Sequence, residues 1–303
     1  MGIEATNAYL PLMEAASGIT GRRGISLPFT DGCEPLCENE QSFRELWAHA
    51  MSLGIERRWK SIELRGGRKW MSEAPASLSF YGHTINLAGG ETAIFEQMAG
   101  AARQGVRRAE MAGVKVEISQ SLTAVHDFYR LLCLTRQRHG LPPQPLKFFL
   151  NIHRHILSQN QGFIAVANHS GNKFAASVFF FLGSRAIYKY GASDYAQQHL
   201  RGNNLVMWTA MQWLARQKVT HLHLGKTAPA NGGLRRFKLN LGAKEETIEY
   251  MKFDLRLGRF IVDHDDTAGW HNRVFSAKPM WASQLAGRLL YKHWALFILH
   301  NVV

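Results

Sequence analysis

Apolar and polar positions run through this chain in two rhythms, one helical and one alternating. QSFRELWAHAMSLG places Phe43, Leu46, Trp47 and Ala50 on one helical face, with a stop near Gly54. WKSIELRGG and HTINLAGG alternate as strands, and residues 9–31 read as short strands and turns. ETAIFEQMAGAARQGVRRAEMAG repeats as one long helix closed by Gly113, with VKVEIS a strand behind it. SLTAVHDFYRLLCLTRQRHG is a further helix, and after Pro142 and Pro143 the segment LPPQPLKFFLNIHRHILSQ resumes as helix. The second half reads as three strands joined by tight turns (GFIAVANHSGNKFAASVFFFLGSRAIYKYGASD), then helix NNLVMWTAMQWLARQK and strand THLHLG. A short helix within GGLRRFKLNLGAKEE and strand ETIEYMKFDL follow. At about 100° per residue, Leu234, Phe237 and Leu241 of that helix share a face, and Lys238 lies on it too. Arg235 and Arg236 point elsewhere. This order predicts an α/β protein with mixed sheets.

Composition narrows the class. Hydrophobic residues are 46% and charged residues 19%, a globular balance that excludes a disordered chain. The formal net charge of +13 favours polyanionic partners: nucleic acid, an anionic membrane surface or phosphorylated substrates. Cys33, Cys37 and Cys133 make no disulfide framework. CEPLC lacks a second ligand pair, so no metal site is expected there. The opening residues show no basic segment followed by an apolar stretch, and no run reaches the ~18–20 apolar residues of a membrane span. These features predict a cytoplasmic protein, soluble or peripheral on the inner membrane face. No short repeat or low-complexity segment is present.

Several segments, in order, resemble the FemABX-like acyltransferases: ARQGVRRAEMAGVKVEI, TRQRHGLPPQPLKFF, IYKYGASD, RGNNLVMWTAMQWL and GGLRRFKLNLGAKEETIEY. The resemblance spans roughly residues 9–260. It implies twin GNAT-like subdomains and transfer of an acyl group to an amine. In the best-known branch the donor is aminoacyl-tRNA and the acceptor a peptidoglycan precursor peptide. We expect a first subdomain over residues 1–145, incomplete at its N-terminus, a second, catalytic subdomain over 146–262, and a tail over 263–303. The acyl-CoA branch of GNAT enzymes has a Gly-rich pyrophosphate turn after its central strand; here only Arg201-Gly202 and the Asn203-Asn204 helix start resemble one. No cofactor is expected to be bound. The co-substrate is aminoacyl-tRNA, with acyl-CoA as the alternative, the acceptor then being a sugar or lipid amine. A further alternative is an inactive relative that binds RNA or membrane.

The resemblance also assigns roles. A Phe-Lys pair at this place in the family is associated with gripping the 3′ end of tRNA and stabilising the transition state, and Phe237 and Lys238 match it. Lys238 is expected to steady the developing oxyanion, and Phe237 to pack on the terminal ribose or adenine. A lysine snorkelling over the core edge is the alternative. Arg235 and Arg236, with Arg201 and Asn204, are candidates for donor phosphates. Arg103, Arg107 and Arg108 form a second basic patch, which either binds phosphates or pairs with Glu96 and Glu110. Tyr188 and Tyr190 are expected on one strand face, and Tyr190 enters the candidate site with Asp194. Asp194 is either the group that takes the acceptor amine's proton or a capping residue. His139 is expected to be a helix C-terminal cation. His221 and His223 lack a third metal ligand and are read as structural, and VDHDD at 262–266 as an acidic turn. The tail PMWASQLAGRLLYKHWALFILHNVV offers peripheral membrane contact through residues 280–303 near a lipid-linked acceptor, or docks on the protein's own core.

Overall fold

The computed structural model describes residues 2–5, 8–18, 21–263 and 279–298, and for 2–5 and 290–298 the course of the backbone alone. The chain begins with strands β1 (Gly2–Ala5), β2 (Ala8–Pro11), β3 (Met13–Ser17), β4 (Gly21–Ile25) and β5 (Leu36–Cys37). Helix α1 (Glu40–Glu56) leads to β6 (Ser61–Arg65) and β7 (Leu78–Asn86). Helices α2 (Gly90–Gln97) and α3 (Gly100–Met111) precede β8 (Lys115–Ser119), α4 (Leu122–Arg138) and α5 (Leu146–His155). Then come β9 (Gly162–His169), β10 (Asn172–Leu182), β11 (Arg185–Ser193), α6 (Gly202–Arg216) and β12 (His221–His223). Helix α7 (Gly232–Asn240), β13 (Lys244–Asp254), β14 (Arg259–Phe260) and α8 (Met280–Ile298) complete the order. This is the expected mixed α/β fold. Residues 264–266 of the acidic turn and 299–303 of the tail lie outside the described residues.

One long mixed sheet runs β3-β4-β6-β13-β7-β12-β11-β10-β9-β8, and β14 pairs with β13 at its side. A small sheet β1-β2-β5 stands apart from it. Strands from both sides of residue 145 share the large sheet: β8 pairs with β9, and β13 lies between β6 and β7. The strands β9 to β11 are covered on both faces. One face packs Phe163, Phe179 and Tyr188 against α2, α3 and α6; the other packs Val166, Val178 and Tyr190 against Phe128 of α4 and Phe149 of α5. Burial on both faces explains the near-continuous apolar runs of these strands. A third core lies under α1, where Phe43, Leu46 and Ala50 meet Trp59, Ile62 and Met251.

Local chemistry sets most boundaries. Asn39 caps α1 by accepting from the Ser42 N–H at 2.9 Å, and Ser121 caps α4 by accepting from Ala124 at 3.1 Å. Helix α1 ends at Glu56, near Gly54 as the pattern predicts, and Gly54 is buried where the Leu255 side chain packs against it. One boundary differs from the sequence reading. The long helix expected over residues 91–113 is two helices. Met98 and Ala99 are extended, and the Ala99 N–H donates to the Asn240 carbonyl at 2.9 Å. The break docks on the end of α7, so a tertiary contact overrides a helical pattern there.

Candidate active site

The site forms where β11 changes face. Val178 pairs with Tyr190 and Phe179 with Tyr188, so Lys189 is an extra residue with no partner on β10. Such a bulge inverts the alternation of the strand. Tyr188 and Tyr190 were expected on one face; the bulge puts Tyr188 in the α2–α3–α6 core and Tyr190 in the α4–α5 core. Lys189 is aimed at Asp31, with Nζ 3.7 Å from Oδ2. The Tyr188 ring lies across Gly191, where an ideal Cβ would stand 1.9 Å from the hydroxyl. Burial pushes the Tyr188 phenol up to about 12.

A cleft opens at this point, lined by Phe29, Thr30, Asp31, Arg65, Lys189, Tyr190 and Gly225 among others. Asp31 is the one carboxylate in that lining. Its loop follows β4 and is pinned from beneath. The buried Arg65 guanidinium donates to the carbonyls of Pro28 and of Thr30, the latter at 2.7 Å, and pairs with Glu63 at 3.2 Å. The Tyr250 hydroxyl donates to the Asp31 carbonyl at 2.8 Å and in turn accepts from Lys226 Nζ at 3.2 Å. The Lys226 ammonium also sits over the rings of Phe80 at 4.1 Å and Tyr250 at 4.8 Å.

Helix α7 brings Lys238 behind Gly225, a residue of the cleft lining, with Nζ 4.0 Å from where a Cβ on that glycine would stand. Asn231 caps the helix by accepting from the Leu234 N–H at 3.1 Å, and Gly242, at φ 87°, ends it. Lys238 is 1% exposed, so it does not snorkel; its Nζ donates to the carbonyls of Gly225 and Lys226, each at 3.0 Å. An ammonium has three donors, and the two carbonyls take two of them. Burial lowers Lys238 to about 7, with the Asp31 carboxylate acting the other way. Lys226 is lowered to about 7 as well, by burial first and Arg65 second. Phe237 is half-buried against the α2–α3–α6 core.

The flanking arginines separate. Arg235, a candidate for donor phosphates, is instead bound to Glu245, with Nε–Oε2 and Nη2–Oε1 both 2.7 Å, and lies over the Tyr81 ring at 4.1 Å. The tight turn at Gly242 returns β13 beside α7 and delivers Glu245 to it. Glu245 also meets Nε2 of the buried His83 at 3.1 Å, whose pKa is lowered by burial and by Lys238. Arg236 is exposed.

The other predicted residues lie apart from this cleft. Asp194 caps the short turn Tyr195–Leu200, accepting from the Ala196 N–H at 3.0 Å, and is not in the cleft lining. Arg201 is exposed in a left-handed conformation at φ 56° before α6, and the Asn204 side chain packs on Gly105 of α3. On α3, Arg103 is half-buried, Arg107 lies 5.8 Å from the Phe95 ring centre, and Arg107 and Arg108 are exposed. Among the described residues none of the three is ion-paired with Glu96 or Glu110. His139 sits at the C-cap of α4, where burial, Arg138 and Arg136 lower its pKa and so disfavour the expected cation. His223 accepts from the Gly225 N–H at 3.1 Å, and His221 is exposed.

Sequence reasoning missed Asp31, Arg65, Lys189, Lys226 and Tyr250. Their only local signals were a lysine between two strand tyrosines and a lysine directly after the glycine that ends THLHLG.

A central strand bulged beside a cleft and covered by helices on both faces, within one long mixed sheet, gives a GNAT-like fold. Residues 97–239 match the family model of the acetyltransferase (GNAT) domain. Among solved structures, FemX is 13% identical with a TM-score of 0.64, covering 80% of this chain and 84% of its own. The C-terminal domain of a protein assigned as a lysylphosphatidylglycerol synthetase from Agrobacterium fabrum is 18% identical with a TM-score of 0.56, covering 82% of each chain. A tandem GNAT protein from the clavulanic acid biosynthesis pathway is 12% identical with a TM-score of 0.53, covering 82% of this chain and 79% of its own. At such identities these likenesses establish the fold. No curated protein matches the chain.

Proposed function

We propose that the protein transfers an aminoacyl group from aminoacyl-tRNA to the amine of an acceptor, a cell-envelope precursor being the favoured class, in the cytoplasm. The observation that carries this reading is the buried Lys238 ammonium, held by the carbonyls of Gly225 and Lys226 directly behind the cleft that Gly225 and Asp31 line. The neutral acceptor amine attacks the ester carbonyl, and a C–N bond forms as the carbonyl oxygen gains negative charge. Lys238 donates its third N–H to that oxygen. The C–O bond to the terminal ribose then breaks, and the released 3′-hydroxyl carries away the proton given up by the amine. Asp31, on the cleft wall, supports the role given from sequence to Asp194: it orients the amine and relays its proton. Phe237 serves as the packing surface for the terminal nucleotide. The exposed Arg107, Arg108, Arg201 and Arg236, with the half-buried Arg103, supply a cationic surface for donor phosphates, with Asn204 at the start of α6.

A second reading has acyl-CoA as donor, and the match of residues 97–239 to an acetyltransferase domain favours it. Purified protein incubated with labelled aminoacyl-tRNAs and labelled acyl-CoAs, with a panel of amine acceptors, separates the two by mass spectrometry. Product formation abolished by ribonuclease supports the first reading. Product from acyl-CoA alone overturns it, and no product from any donor supports an inactive binding protein. Where product forms, Lys238→Ala should lower kcat by about 10²–10³-fold; a rate within about twofold of wild type would remove Lys238 from the chemistry.

A further inference from the structure

Helix α8 is built the wrong way round for a helix that ends at its own protein surface. Its inner face is small and polar. Ser283 is 2% exposed, and Gln284 donates from Nε2 to Sγ of Cys133 on α4 at 3.3 Å. At Gly287 an ideal Cβ would stand 2.0 Å from the Pro143 carbonyl oxygen, so only a glycine lets the helix approach this closely. Among the side chains of α8 that the structure describes, residues 280–289, three large apolar ones face outward: Trp281 is 68% exposed, Leu285 49% and Leu289 61%. These positions are one turn apart along one face, and the exposed Arg288 lies beside them. A surface helix ordinarily turns such a stripe inward.

We infer that this outward face of α8 docks on an anionic lipid surface. Three observations select that occupant. First, MWASQLAGRLLYKHWALFI, the sequence of α8, contains Arg288 and Lys292 and no aspartate or glutamate. Its charge complements acidic headgroups, as does the chain's net charge of +13. Second, three large apolar side chains one turn apart with the exposed Arg288 beside them form the pattern of a helix that lies in the interface plane. Third, a two-fold pairing of copies through this face would set Arg288 of each copy against the same basic helix of the other, with no carboxylate on α8 to offset it. Trp281 enters at the headgroup boundary, where an amphipathic ring is best accommodated. Leu285 and Leu289 go beneath it, and Arg288 extends its stem to reach a phosphate. The helix rests on α4, which with α5 forms the layer that carries Phe148; Phe148 meets Phe29 of the cleft lining at 6.1 Å between ring centres. A lipid surface under α8 therefore lies against the layer that borders the cleft. The inference does not depend on which donor the cleft uses.

The test is vesicle flotation of the full chain. The vesicles are phosphatidylcholine alone, or phosphatidylcholine with about one-third phosphatidylglycerol as the anionic probe. The wild type should float with the anionic vesicles and far less with the neutral ones. The variant Trp281→Ser/Leu285→Ser/Leu289→Ser should partition at least about tenfold more weakly on anionic vesicles. Its far-UV spectrum and melting temperature should be kept, since only exposed side chains change. Arg288→Glu, a milder change, should weaken anionic binding and leave neutral binding as it was. Equal partition of wild type and triple variant overturns the inference, as does a wild type that stays off anionic vesicles. A dimer in sedimentation that the triple variant dissolves also overturns it, assigning the face to a second copy.

Discussion

Lys238→Met tests the burial of the amine without reference to any substrate. Methionine keeps most of the stem length and removes the titrating group. In the folded chain Lys238 is lowered to about 7 from the ordinary 10.5, chiefly by burial. Between those values the unfolded chain holds a proton that the folded chain has released, so stability rises with pH. Below that window both states are protonated and the desolvation cost is fully present. At 1% exposure the side chain needs no discount for solvent screening. One full proton of difference is worth about 1.4 kcal/mol per pH unit. Lys226, also lowered to about 7, acts in the same direction, so the pair contributes about 3 kcal/mol per unit to the wild-type slope. Burial raises the thiols of Cys33, Cys37 and Cys133, and these act the opposite way as the unfolded chain approaches its thiol pKa of 9.0. They are common to both proteins and cancel in the difference. The assay is urea unfolding with a thiol reductant at about pH 7.5 and 8.5. The wild type should gain about 1 kcal/mol more than the variant over that unit, whatever the absolute loss from the unpaired carbonyls. Parallel slopes would refute the reasoning, since Lys238 would then hold its proton equally in both states.

Asp31 favours the charged form of Lys238, so Asp31→Asn should lower the lysine further and move the alkaline limb of a kcat–pH profile to lower pH; an unmoved limb removes the coupling. Gly191→Ala forces a methyl against the Tyr188 hydroxyl and should cost about 1–3 kcal/mol in urea unfolding. Arg235→Ala should lower the melting temperature and leave tRNA affinity nearly unchanged, because its guanidinium is held by Glu245 and Tyr81. Arg236→Ala should do the reverse, weakening tRNA binding and reducing the salt slope by about one.

The helix α7 was legible because its signals are local: an asparagine cap, an apolar face and a glycine stop. The inward turn of Lys238 could be read from the same periodicity. The break between α2 and α3 could not, since the Asn240 carbonyl that satisfies Ala99 lies far along the chain. The two strand tyrosines misled for a related reason. Period-2 reasoning assumes a regular ladder, and the bulge at Lys189 is specified by packing across strands. Arg235 looked free because its partner arrives only when β13 folds back. Asp31 was invisible as a site residue: the tyrosine that holds its loop, Tyr250, is 219 positions away.

The arrangement around Lys238 explains why both parts of the chain meet at one cleft. An oxyanion donor is strongest where water is excluded, yet excluding water drives the proton off a lysine. The conflict is relieved only by a carboxylate close enough to favour the ammonium and far enough away to leave a donor free. Lys238 is on α7, and Asp31 comes from the loop after β4. Arg65, Tyr250 and, through Tyr250, Lys226 fix that loop. Lys189 on the bulge already meets Asp31 at 3.7 Å, so the carboxylate faces cations on both sides. The Asp31 carboxylate thus opposes the burial that lowers Lys238 to about 7, the balance that the proposed oxyanion role needs.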